Sequence, residues 1–248
     1  MTWAAQWQTW AEPSAASADT MTAACRWIAV CILMPLLALM RAPAASAALP
    51  LGGGASIIVD GTYCTLTTIG HDKTGDLVGF TAASCGGPGS PVVAEGSENL
   101  GPVGTVVTDG DHLFYAVIKF DPAKVAPISD FDGFAINGIG PDPTNFNQPI
   151  CIQGGATGFG CGHFKLSDPQ RGLASATLGI PAYQPSNNGA PVTVDGQLVG
   201  LTRRGDNMFD LGPVRVGPYV TIGFVLFSAI LDDVNAGGGP GRGFVPVQ

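Results

Sequence analysis

Pro185-Ser186-Asn187-Asn188-Gly189-Ala190-Pro191-Val192 lies between two apolar runs, Leu173 to Ile180 and Val192 to Leu201. Small polar residues, a glycine free to take positive φ and a proline on either side make this a tight turn between strands. Two upstream stretches belong with it. Leu77-Val78-Gly79-Phe80 runs into Thr81-Ala82-Ala83-Ser84-Cys85, and Leu113-Phe114-Tyr115-Ala116-Val117-Ile118-Lys119-Phe120-Asp121 is a second apolar strand. The apolar residues come in short runs instead of helical stripes, with 36 Gly, 20 Pro and only 12% charged residues. An all-β chain with many turns follows.

Taken in order, the three stretches resemble the pattern of the trypsin-like (chymotrypsin-fold) serine proteases, most closely the secreted bacterial type. In that family the turn reads Gly-Asp-Ser-Gly-Gly-Pro-Val, the first strand ends Thr-Ala-Ala-His-Cys or Thr-Ala-Gly-His-Cys, and the second reads Asp-Tyr-Ala-Val-Ile. The resemblance implies two six-stranded antiparallel β-barrels and a short C-terminal helix. The first barrel is expected over 48–128, and the second, with the helix, over 129–236. Asp121 to Gln148, rich in Pro, Asp, Asn and Gly, reads as the linker. Residues 237–248 read as a flexible Gly/Pro tail. Ser228 to Val234 is expected to form the helix, with a serine cap and early carboxylates.

The same resemblance locates the chemistry. Ser84 stands at the general base, Phe114 at the base-orienting aspartate and Asn188 at the nucleophile, while the backbone amides of Ser186 and Asn188 occupy the oxyanion-hole positions. A carboxamide yields no attacking oxygen, serine does not titrate near neutral pH, and a phenyl ring cannot orient an imidazole. A site lacking the triad keeps only about 10³ to 10⁴ over water. Asp111, three residues from Phe114, falls on the opposite face of an extended strand and reads as a turn residue. The expectation is therefore a pseudoprotease. An active hydrolase using other residues, among them Ser84, Ser186, His71, His112 and His163, and a structural envelope protein without ligand are the competing classes.

Arg26 followed by the apolar run Trp27 to Met40 and by Ala45-Ser46-Ala47 reads as a signal peptide cut after Ala47, with translation starting at Met1 or Met21. Secretion or association with the cell envelope follows, with no membrane span after cleavage. Four cysteines remain: Cys64, Cys85, Cys151 and Cys161. Three pairings are open. Cys64 with Cys85 and Cys151 with Cys161 are favoured because each pair brackets a hairpin, and a zinc site using Cys161 and His163 has no paired ligand spacing behind it.

A net charge of −8 excludes the basic face that nucleic-acid binding needs. Neither a cofactor loop nor a metal motif is present, since Gly237-Gly238-Gly239-Pro240-Gly241 lacks the Lys-Ser/Thr ending of a phosphate loop. The partner expected is an extended polypeptide. It would add to the strand Leu198-Val199-Gly200-Leu201, read as a sheet edge, with Arg203 and Arg204 just beyond favouring an acidic chain. The plainer reading of both arginines is a pair of solvated charges at a turn.

Overall fold

The computed structural model describes residues 47–179, 187–203, 214–216 and 219–248. Residues 1–46, Pro185, Ser186 and Arg204 lie outside the described residues. Strands β1 (Leu49–Leu51), β2 (Ser56–Val59), β3 (Thr62–Thr65), β4 (Thr68–His71), β5 (Leu77–Ala82), β6 (Pro91–Ala94), β7 (Gly104–Gly110) and β8 (Tyr115–Phe120) come first. The short strands β9 (Val125–Pro127), β10 (Asp130–Phe131) and β11 (Phe134–Ala135) follow in the linker. Then come β12 (Pro149–Gly154), β13 (Gly158–Asp168), β14 (Leu173–Gly179), β15 (Pro191–Val194), β16 (Gln197–Thr202), β17 (Val214–Val216) and β18 (Tyr219–Leu226). Helix α1 (Phe227–Gly237) and β19 (Val245–Pro246) end the chain.

The downstream sheet is a closed ring. Its strands run β14-β13-β12-β15-β16-β18, and β18 pairs back onto β14 from Leu173↔Val225 to Gly179↔Tyr219. Inside it Ile150, Ile152, Phe164, Leu178, Val192, Ile222 and Phe224 are buried. β13 has an exposed outer face, and its alternation of side chains over Gly158–Phe164 is that of a strand covered on one side.

The upstream sheet has eight strands in the order β19-β4-β5-β8-β7-β6-β2-β3, not the six of a simple barrel. Its edges are β19 and β3, while β3 and β4 are consecutive in the chain. β3 pairs with β2 and β4 pairs with β5, so one bent segment, Thr62 to His71, links the β3 edge to the other side of the sheet. At the bend Leu66 N–H donates to Ala55 O at 2.8 Å and Thr67 N–H donates to Phe80 O at 2.7 Å, which passes the pairing from one neighbour to the other. The buried Cys64–Cys85 disulfide ties this segment to the end of β5, and Cys151–Cys161 joins directly paired residues of β12 and β13.

Two expectations for the C-terminus are corrected. Residues 238–248 are docked. β19 pairs with β4, and Phe244 is buried with its ring 4.9 Å from Phe80 in an edge-on contact. Phe80 also meets Phe227 of α1 at 5.2 Å, so one aromatic cluster joins β5, the helix and the terminal strand. Gly241 N–H donates to Asp72 Oδ2 at 3.2 Å, and the other carboxylate oxygen accepts from Thr74 N–H, Thr74 Oγ1–H and Asp76 N–H. Burial pushes the Asp72 carboxyl upward, but these hydrogen bonds outweigh it and hold the group below the usual carboxylate range. Ser228, in turn, is not a cap. β18 runs straight into α1, so the cap position falls on Leu226 with no side-chain bond. Ser228 Oγ–H donates instead to Asp142 Oδ1 at 2.7 Å, and Asp232 and Asp233 lie beyond the first turn.

Candidate functional site between the barrels

The Asn187–Ala190 turn lies against the upstream barrel. Thr65 N–H donates to Asn188 O at 2.9 Å, and Thr67 Oγ1–H donates to Gly189 O at 2.6 Å. Gly189 has φ +84, and a Cβ there would run into Thr65 O and Thr81 Oγ1. Only glycine lets the turn sit this close. On its other side Thr202 holds the turn to β16. Gly189 N–H donates to Thr202 O at 2.8 Å, and Thr202 Oγ1–H donates to Asn187 O. The turn is thus a bridge across the seam.

The segments that carry Ser84, Phe114 and Asn188 are in contact there. Ser84 sits exposed in the 3-10 turn Ala83–Cys85, and Ala83 N–H donates to Phe114 O at 2.9 Å. Cys85 Sγ lies 4.0 Å from Asn188 O, a van der Waals contact because a disulfide sulfur carries no proton. Asn188 is 5% exposed, and its Oδ1 has no hydrogen-bond partner among the described residues. Phe114, between buried Leu113 and Tyr115, is 39% exposed and adopts φ +56.

Arg203 is not a solvated charge. It is 6% exposed, and its guanidinium carbon lies 4.6 Å from the centroid of the Phe114 ring. The strand before it is not an edge. β16 pairs with β15 along one side, and on the other Gly200, Leu201 and Thr202 pair with β18. Leu198 N–H donates to Gly138 O, and Leu198 O accepts from Gly140 N–H, each at 2.9 Å. The side chains of Leu198, Val199 and Leu201 are buried. With its ladder groups taken, Leu198-Val199-Gly200-Leu201 cannot accept an added strand. Sequence reasoning missed the Arg203–Phe114 stack. The sequence signal is only a cation closely following an apolar strand, since Phe114 lies far upstream.

The three histidines are placed elsewhere. His71 is exposed at the end of β4. His163 Nδ1 lies 3.1 Å from the Asn147 carbonyl oxygen. His112 Nε2 lies 3.2 Å from Asp233 Oδ1, and Tyr115 Oη–H donates to Asp233 Oδ2 at 2.6 Å. Burial, then the bond to Asp233, raises the Tyr115 phenol well above its ordinary value. This histidine–acid pair faces a cavity of about 550 Å³ lined by Leu113, Gln170, Arg171, Leu173 and Ala229, with no serine or cysteine in its wall. Among the described residues no histidine is hydrogen-bonded to a serine. Cys161 is in a disulfide and so unavailable as a thiolate ligand. No cluster of His, Cys, Asp and Glu suited to a metal ion occurs among the described residues. No helix among them is long and apolar enough to cross a membrane.

Two β-barrels meeting at such a seam, with a C-terminal helix, make this the fold of the chymotrypsin-like serine proteases. Solved structures of bacterial proteases match it closely in extent. Thermobifida fusca protease A superposes with a TM-score of 0.58 over 80% of this chain and 100% of its own, at 17% identity. The Nocardiopsis protease gives 0.56 over 75% and 97%, at 18% identity. Cellulomonas bogoriensis chymotrypsin gives 0.55 over 80% and 99%, at 20% identity. The sequence matches no protein-family model and no curated protein.

Proposed function

We propose that the protein is an exported pseudoprotease that binds a polypeptide in the interbarrel cleft. What supports this reading is the set of side chains carried by the segments in contact at the seam. They are the hydroxyl of Ser84, the phenyl of Phe114 under Arg203 and the carboxamide of Asn188, with His71, His112 and His163 lying elsewhere. Laid on the family pattern, these replace the base, its orienting acid and the nucleophile. None can generate an attacking oxygen near neutral pH. The backbone amide of Asn188 would remain as a donor to a bound carbonyl. Two disulfides and the leader ending at Ala47 support export.

The test is hydrolysis of casein and of an activated ester by the purified protein. No turnover above an Asn188→Ala control is expected. Turnover abolished by Ser84→Ala or Ser186→Ala would instead establish a hydrolase working through non-standard residues.

A further inference from the structure

Phe114 closes the connection between β7 and β8 in the left-handed region, at φ +56. Glycine or asparagine fills that conformation at little cost, whereas a bulky aromatic residue there is a strained outlier. The ring is 39% exposed between two buried neighbours, so packing repays that strain only in part. Strain that packing repays only in part points to function. One face of the ring is occupied by the Arg203 guanidinium at 4.6 Å. An aromatic face is ordinarily electron-rich, and a cation stacked on one side draws density from the other. Such a platform favours an electron-rich ring and disfavours a second cation. Ser84, next in the chain to Ala83 whose N–H donates to Phe114 O, is exposed.

We infer that the Phe114 ring, backed by Arg203, is the recognition platform of the cleft and takes an aromatic side chain, indole or phenol, of the bound polypeptide. The inference rests on the polypeptide-binding reading and adds the ligand's chemistry. Other exposed aromatic rings among the described residues lack this combination. Phe159 leans on Phe134, and Phe146 lies under Lys165 with no backbone strain. Long-range attraction makes the opposite prediction, since a chain of net charge −8 would draw lysine peptides first.

The experiment is ¹⁹F NMR titration of the full chain with a capped alanine-rich peptide carrying one central fluorotryptophan. Matched peptides with tyrosine, leucine or lysine at that place serve as competitors. Tyrosine is expected to displace the probe roughly three- to tenfold better than leucine, and lysine to be the weakest. Phe114→Gly should lose that preference while keeping or raising Tm, and Phe146→Ala should change nothing. Phe114→Asn, which also suits the left-handed conformation, serves if the glycine variant misfolds. Equal displacement by leucine and tyrosine, or unchanged probe binding in both Phe114 variants, would overturn the platform and leave a polypeptide-binding cleft standing. If no peptide of the set bound, the cleft reading would fall with it.

Discussion

The two barrels close by different means. The downstream ring is sealed by the β14–β18 ladder, with every member drawn from residues 149–226. The upstream sheet has no such ladder between β3 and β4. It closes through a bend in one segment, a disulfide behind that bend, and a strand and aromatic ring contributed from the far end of the chain. A hydrogen-bonded seam is made locally, whereas the upstream closure depends on pieces distant in sequence. The upstream barrel should therefore be the more vulnerable to single changes.

Phe244→Ala tests this most severely. It removes a buried ring from the Phe80–Phe227 cluster and should cost about 3–5 kcal/mol. Amide exchange should rise first in β4 and β5, while Leu178→Ala, a cavity of about 2–5 kcal/mol in the other core, should leave those strands protected. Equal exposure of both barrels by either variant would break the comparison. Next come the disulfides. Replacing Cys64 and Cys85 by alanine should cost about 3 kcal/mol in denaturant titration. Replacing Cys151 and Cys161 should cost roughly 0.7 kcal/mol less, because the sequence separations are 21 and 10.

Asp72→Asn should cost about 1–2 kcal/mol at neutral pH by weakening the carboxylate's grip on the C-terminal segment. Its pKa is lower in the folded chain than the ordinary 3.8, so the stability it confers is full above that value and is lost as pH falls below it through the lower folded pKa. The wild type should therefore lose more stability between neutral and acid pH than the asparagine variant, as thermal scans across that range would measure. The smallest effect is expected for Tyr115→Phe, about 1 kcal/mol, from loss of the bond to Asp233.

Much of the fold was legible because its signals are local. Strand runs, turn residues and cysteines bracketing hairpins are each contained in short windows. What escaped depends on distant partners. Gly237 to Arg242 has the composition of a solvated linker, and only Phe244 hints at docking, because the pocket it fills is built from Phe80 and Phe227. The place of β16 within its sheet was equally hidden. An alternating apolar run looks the same at an edge or in the middle, and here the covering segments are β18 and the linker around Gly138 and Gly140. The burial of Arg203 required knowing that the Phe114 ring faces it across the seam.

The terminal strand also bears on how the protein is made. A polypeptide emerges from the ribosome with its amino end leading, so β2 to β8 appear early and must wait for residues 244–246 before their sheet is complete. Until then the ring of Phe80 and the free flank of β4 are open to holding factors or to misassociation. Completion of the upstream sheet thus depends on residues made well after its other strands.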